Sequence, residues 1–470
     1  MPDTPMKYIE NKTFDEIKIG DFATLTRKLS EQDIKLFAIM SGDVNPAHVD
    51  AEFAKSDMFH KIIAHGMWGG ALISAVLGTE LPGPGTIYLN QDLSFRHAVG
   101  LGDTVTVTVT VVEKAAEHHR LTLDCLCVNQ NGETVIAGKA LVIAPTEKIR
   151  RPRVAMPDVV LHQSGARFAD LMRAAAPLPP VRTGVVHPCD EVSLQGALEA
   201  GTAGLIVPVL IGPKAKIEAT ALEAGLTLQG IEIVDVPHSH AAAERAVAMV
   251  REGKLMMLMK GKIHTDELLE PVVRKETGLR TERRMSHVFV LDVPNYPKPL
   301  MISDAAINIF PDLNTKRDIV QNAIDLAHAL GISAPKVAVL SAVETVTPTI
   351  PSTVEAAALC KMADRGQITG GVLDGPLAFD NAVSRAAAEA KGIHSEVAGD
   401  ADILIVPDLE AGNMIAKQLI YLAGADAAGV VLGARIPIVL TSRADGVLSR
   451  LASAAIAKLV VHAQGLSLKI

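Results

Sequence analysis

The chain has 470 residues, of which 49% are hydrophobic and 21% charged, and a formal net charge of -8. That length exceeds one ordinary hydrophobic core and predicts two or three globular domains. The negative balance and an aromatic content of 3% argue against nucleic-acid binding, whether by phosphate attraction or by base stacking. No apolar run reaches membrane-spanning length. The opening residues, MPDTPMKYIENKTFDEIKIGD, lack a basic-then-apolar leader pattern. With only four cysteines in so long a chain, the expectation is a reducing, cytoplasmic setting. Cys125 and Cys127 alternate on a predicted strand, while Cys189 and Cys360 show no ligand spacing, so no metal site is expected.

In chain order, residues 16–30 open with a strand-like stretch, and Gln32 to Met40 reads as a helix. Gly42, Asp43, Asn45 and Pro46 are turn formers, so regular structure should break there. A carboxylate at Asp43 and an imidazole at His48, on one turn, can converge on a water molecule and exchange its proton near neutral pH. The alternative is that Asp43 caps the next helix and His48 packs beneath it. Ala64-His65-Gly66 then leads into MWGGALISAVLG, Met67 to Gly78, which is apolar almost all round and predicts a buried helix. Such a helix start offers free N–H groups and a positive dipole end. Strand signals follow at 85–95, 103–113, 120–129 and 134–143, with strict period-two alternation in TVTVTVTV and a turn at Asn131-Gly132.

The run Phe37, Ser41, Gly42, Asp43, Asn45, Pro46, His48, Ala54 fills every position of a signature that resembles the MaoC-like, or R-specific, enoyl-CoA hydratases. The resemblance implies a hot-dog fold, in which an antiparallel sheet wraps one long helix. It implies that Asp43 and His48 jointly activate one water for addition to a trans-2-enoyl-CoA. It further makes Asn45 a turn-holding residue and the backbone N–H of Gly66 the oxyanion donor. Hot-dog folds also host thioesterases, but the complete Asp-x-Asn-Pro-x-His run argues against that activity. Such domains usually pair, so a homo-oligomer, dimer or higher, is expected, with the exposed sheet face as partner surface.

Pro145 to Gly165 breaks the strand pattern with prolines and with Lys148, Arg150, Arg151 and Arg153, and reads as a linker. Its basic residues suit either a coenzyme A phosphate or a solvated connector. From about Val181 strand-like and helical runs alternate to the end of the chain, with a hairpin-like stretch at 287–310 and a strand at 428–440. This predicts an α/β domain with mainly parallel sheet, large enough for two lobes, binding ligands beyond the carboxyl ends of its strands. No GxGxxG or GxxxxGK[ST] motif supports dinucleotide or P-loop binding.

Four stretches here carry polar groups at strand or helix ends: Asp304 with Asn308 and Asp312; Arg274-Lys275; VPDLEAGNMIAKQL with Asp408, Glu410, Gly412 and Asn413; and TSRAD with Ser442, Arg443 and Asp445. An arginine and a serine hydroxyl at a helix start suit phosphate. Arg274-Lys275 is equally readable as a helix-end charge pair, and Ser442 as a cap. Together these stretches resemble the phosphate acetyl/butyryltransferases over residues 165–470, with TSRAD closer to the butyryl branch. The resemblance implies coenzyme A and phosphate contacts by Arg274, Ser442 and Arg443. The acetyl branch has an acidic residue six positions after the arginine, where this chain has Ser449, so Asp445 becomes the candidate thiol base.

The expected organisation is therefore a hot-dog domain at 1–147, a linker at 148–165 and a two-lobed α/β phosphotransacetylase-like domain at 166–470. Its second lobe spans about 312–440, and its last helix returns to the first lobe. The expected function is bifunctional: hydration of trans-2-enoyl-CoA to (R)-3-hydroxyacyl-CoA, and exchange of acyl-CoA plus phosphate for acyl phosphate plus coenzyme A. No metal or redox cofactor is required by either step; the small-molecule partners are coenzyme A thioesters, phosphate and acyl phosphate. The alternative is that the second domain binds acyl-CoA without turning it over, as a regulatory and oligomerisation module.

Overall fold

A computed structural model describes residues 8–154, 156, 159, 161, 165–440 and 446–466. The chain divides into two compact units, Met1–Leu161 and His162–Ile470. Among the described residues, no helix is long and apolar enough to cross a membrane.

The first unit begins with β1 (Tyr8–Glu10) and β2 (Phe22–Lys28), followed by helices α1 (Glu31–Ser41), α2 (Pro46–Val49), α3 (Ala51–Ser56) and α4 (Gly66–Thr79). Strands β3 (Ile87–Phe95), β4 (Thr104–Ala115), β5 (Arg120–Asn129), β6 (Thr134–Ile143) and β7 (Arg150–Pro152) complete it. Five of these form an antiparallel sheet in the order β2-β4-β5-β6-β3. Period-two alternation decides which face is covered. Val105, Val107, Val109 and Val111 of β4 are buried beneath α4, while the intervening threonines point to the other face. From α4, Trp68, Leu72, Ile73, Val76 and Leu77 enter the same core. Gly69 permits close approach, since a Cβ there would stand 2.3 Å from the Cδ1 of Ile136 on β6.

The sequence predicts α4 to be buried all round, and the structure corrects that. The sheet covers one side only, so Met67 on the opposite side is 55% exposed. The expected linker is also partly structured. Arg150–Pro152 pairs antiparallel with Tyr8–Glu10. Lys148 sits 3.3 Å from Glu10 and 2.9 Å from Glu16, and the Arg150 guanidinium lies 4.4 Å from the centre of the Tyr8 ring. These basic groups are thus matched by the acidic start of the same unit.

The second unit opens with α5 (Ala166–Ala175), β8 (Val181–Val186), α6 (Glu191–Thr202), β9 (Ile206–Gly212), α7 (Lys214–Glu223) and β10 (Glu232–Asp235). It continues through α8 (Ser239–Arg251), β11 (Met257–Lys260), α9 (Thr265–Val273), β12 (Ser286–Asp292), β13 (Leu300–Ser303), α10 (Leu313–Ala329) and β14 (Lys336–Leu340). Next come α11 (Pro351–Asp364), β15 (Val372–Leu377), α12 (Phe379–Val383), α13 (Arg385–Ala390) and β16 (Ile403–Ile405). It ends with α14 (Leu409–Tyr421), β17 (Asp426–Leu432), β18 (Ile438–Val439) and α15 (Val447–Ala463).

Its strands form one 11-stranded sheet in the order β10-β9-β8-β11-β18-β17-β12-β13-β16-β14-β15. Both flanks are parallel, as strand–helix alternation requires. The middle, β18-β17-β12-β13, is antiparallel, so hydrogen bonding runs without a break from one lobe to the other. The single strand predicted at 428–440 is a hairpin instead: Gly433, at φ 86, turns the chain where a Cβ would strain, and β18 returns against β17. The last helix, α15, packs its buried alanine face on α5, α6 and β17.

Candidate active sites

In the first unit α1 stops where Gly42 takes φ 74, a left-handed conformation that closes the helix. The chain then makes a tight Asx turn: the Asp43 N–H donates to Ser41 Oγ at 3.2 Å, and the Asn45 N–H donates to Asp43 Oδ1 at 3.1 Å. Asn45, with Pro46 behind it at the first helical position, is the cap of α2, its Oδ1 accepting from the Ala47 N–H at 3.1 Å. Asp43 therefore is not the cap, and its carboxylate is left at the surface of the turn.

His48 Nδ1 lies 2.9 Å from the Ile63 carbonyl oxygen. A carbonyl only accepts, so Nδ1 carries the proton and Nε2 is left with a lone pair, the form a general base needs. Asp43, His48 and His65 come together: one oxygen or nitrogen of each lies within 4.8 Å of the others. Gly66 is the first residue of α4, where helix geometry provides no intrahelical acceptor for its N–H. Small residues matter here, because a Cβ on Gly66 would come within 3.0 Å of the Phe95 ring.

His48, His65 and Gly66 line one cavity of about 300 Å³, whose remaining wall is largely apolar and includes Ile63, Trp68, Phe95 and Ile136. The set offers a base, a carboxylate, a backbone donor and a greasy slot. His65 is the member that sequence reasoning passed over; its signal was its place immediately before Gly66.

In the second unit Ser442, Arg443 and Asp445 lie outside the described residues. Leu440 lies at the carboxyl end of β18, alongside the carboxyl ends of β11 and β8. There His187 and Lys262 interlock: the Lys262 N–H donates to the His187 carbonyl at 2.8 Å, and His187 Nδ1 sits 2.7 Å from the Lys262 carbonyl. Gly261 makes the crossing possible, since a Cβ would stand 2.5 Å from the Val186 carbonyl oxygen. Neither His187 nor Lys262 was singled out from sequence, although VVHP and MKGKIH directly follow buried strands.

Arg274 is placed elsewhere. It caps the far end of α9, where the Leu279 N–H donates to Val272 and the Arg435 N–H to Leu279, on the amino side of β18. Its guanidinium is exposed and reaches Glu244 at 2.9 Å and Glu270 at 2.8 Å. The helix-end charge pair describes that geometry; the structure does not bring Arg274 to the carboxyl end of β18.

Beyond the carboxyl end of β13 lies a cavity of about 430 Å³ lined by Arg280, Arg283, Arg284, Ile307 and Asp312. Asp304 is buried beneath it, and burial pushes its carboxyl above the usual carboxylate range. It accepts the N–H groups of Ala306, Ile307 and Asn308, and Asn308 in turn accepts from Arg284 Nε at 3.2 Å. Asp312 caps α10 through the Thr315 N–H at 2.8 Å. The PDLEAGN residues dock α14 on this loop. Asp408 caps the helix, Gly412 leaves no room for a Cβ, which would lie 2.7 Å from the Asp304 carbonyl, and Asn413 donates to the Ala305 carbonyl at 3.2 Å. Sequence reasoning missed Arg280, Arg283 and Arg284, whose signal was the basic run LRTERR ahead of β12.

Comparison with known proteins assigns both units. The family described as Phosphate acetyl/butaryl transferase matches residues 238–458, and the MaoC like domain matches residues 18–123. The chain belongs to the phosphate acetyl/butaryl transferase family and carries a MaoC-like hot-dog domain in front of it.

Among its relatives, a phosphate acetyltransferase of Rhizobium meliloti is 65% identical over 294 residues, covering 63% of this chain and 93% of the relative. A phosphate butyryltransferase of Clostridium acetobutylicum is 44% identical over 271 residues, covering 58% of this chain and 90% of the relative. The crystal structure of a branched-chain phosphotransacylase from Enterococcus faecalis V583 superposes with a TM-score of 0.53 at 31% identity, covering 60% of this chain and 99% of that one.

Proposed function

We propose that the chain is a bifunctional acyl-CoA enzyme: its first unit hydrates trans-2-enoyl-CoA and its second exchanges acyl groups between coenzyme A and phosphate. The observation that carries the hydratase reading is that His48, which lies with Asp43 and His65 in one cluster, shares an apolar-walled cavity of about 300 Å³ with the start of α4. The enoyl group lies along the apolar wall with its thioester oxygen toward the Gly66 N–H. His48 Nε2 accepts a proton from a water that Asp43 orients, the water oxygen bonds to C3, and charge moves onto the thioester oxygen. That charge is what a fixed N–H at a helix start stabilises. A proton then returns to C2, giving the (R)-3-hydroxyacyl-CoA.

The transferase reading rests on the family and on the basic groups His187 and Lys262 at the carboxyl ends of β8 and β11, beside the carboxyl end of β18. There the coenzyme A thiolate attacks the acyl carbon of the acyl phosphate, and cations neutralise the departing phosphate. Asp445 is the candidate thiol base, with Ser442 and Arg443 as anion contacts. Ser449, where the acetyl branch has an acid, favours a second reading, in which this unit only binds acyl-CoA. Separate assays with crotonyl-CoA, and with acetyl- or butyryl-CoA plus phosphate, test both halves. Binding of acetyl-CoA without transfer to phosphate or arsenate would select the second reading.

A further inference from the structure

His65 touches both members of the acid/base pair. Its Nε2 is 2.9 Å from the carbonyl oxygen of Asp43, and because a carbonyl only accepts, Nε2 is the protonated nitrogen. Its ring packs tilted against His48, centres 3.9 Å apart at 35°, and against Phe37 at 4.9 Å. The ring is buried, 3% exposed, and its Nδ1 has no hydrogen-bond partner among the described residues. A phenylalanine would fill the same space without stranding a polar atom, so what the imidazole adds to the packing is the Nε2–H donor. That donor ties the Asp43 turn to the entry of α4, across 22 residues of sequence. The other bonds described for the turn are local, from Asp43 to Ser41 and from Asn45 to Asp43.

We infer that His65 is a positioning residue of the hydratase site: its Nε2–H bond holds Asp43 at the distance from His48 and Gly66 at which one water meets all three. The inference rests on the hydratase reading above. Small displacements of a reacting group are costly, with about 1 Å worth roughly a hundredfold in rate.

The test uses the full chain and crotonyl-CoA. His65→Phe keeps the ring and removes the donor; His65→Gln removes the ring and returns an amide N–H near the same place. Trp68, the only tryptophan in the chain, is buried three residues away on α4, so its emission reports whether each variant keeps the local fold. The expected result is that His65→Phe loses at least about tenfold in kcat with KM within about threefold, while His65→Gln stays within about threefold of the unmodified kcat. A His65→Phe protein within about twofold of the unmodified kcat, or a folded His65→Gln protein as slow as His65→Phe, overturns the inference. If His65→Phe loses native Trp68 emission, His65→Gln alone decides by the same criterion. An unmodified chain that binds crotonyl-CoA without hydrating it removes the hydratase reading itself, and the role of His65 with it.

Discussion

The groups proposed to react in the first unit come from one short stretch, Asp43 to Gly66, that folds as a turn, two small helices and the start of α4. Those proposed for the second unit come from segments far apart in the chain: His187 after β8, Lys262 after β11, and Ser442, Arg443 and Asp445 later in the sequence. A local site fixes its geometry with capping bonds only a few residues long, so its spacing survives as a readable motif. A site assembled from strand ends is fixed by sheet order and register, which no single stretch displays. The two should also fail differently: a single substitution in the local site removes its chemistry, whereas scattered cations share the load.

The sharpest way to break this comparison is His48→Ala. It removes the base and should lower crotonyl-CoA hydration by about 10²-fold or more, leaving phosphate-dependent acyl transfer unchanged. Hydration within a few-fold of normal would show that His48 is not the base.

Arg443→Ala comes next. Loss of one charge-assisted contact should slow acyl transfer about ten- to a hundredfold, with hydration untouched. A rise in KM for coenzyme A would mark a binding contact, and a fall in kcat a contact to the departing phosphate. Asp445→Asn, assayed alongside, should collapse the transfer rate with binding retained if that carboxylate takes the thiol proton.

A structural substitution sharpens the contrast between the units. A Cβ on Gly138 of β6 would stand 1.8 Å from the Asp92 carbonyl of β3, so Gly138→Ala forces two paired strands apart. The first unit should lose about 1–3 kcal/mol of stability, read as an earlier melting step, while transfer activity at room temperature persists. Unchanged melting would mean that β3 yields without cost.

The smallest effect belongs to Arg274→Ala. Its partners Glu244 and Glu270 are surface carboxylates, so transfer should stay within about twofold and melting should not move measurably. A tenfold loss of transfer would return Arg274 to the substrate.

What was legible in the sequence follows the same division. The valine–threonine alternation of β4 announced its buried face, and Gly42-Asp43 with Asn45-Pro46 announced the turn that holds the candidate pair. His65 was visible but carried no pattern, since a lone histidine before a glycine has no period or spacing to mark it. In the second unit the strand–helix alternation was plain, yet the break of 428–440 into a hairpin depended on one glycine at positive φ, Gly433. The place of Arg274 depended on the direction in which α9 runs back along the sheet, which its local sequence does not encode. Arg280 and Arg284 were hidden for the opposite reason: a basic run between a helix and a strand reads as solvated loop until β13 is laid antiparallel beside β12.

The most direct measurement of the central claim is chiral analysis of the product formed from crotonyl-CoA by the purified full chain and by Asp43→Asn. The account predicts (R)-3-hydroxybutyryl-CoA from the unmodified chain and almost none from Asp43→Asn, with acetyl transfer to phosphate equal in both. Absence of the hydroxyacyl product from the unmodified chain, or its undiminished formation by Asp43→Asn, would contradict the assignment of the first unit.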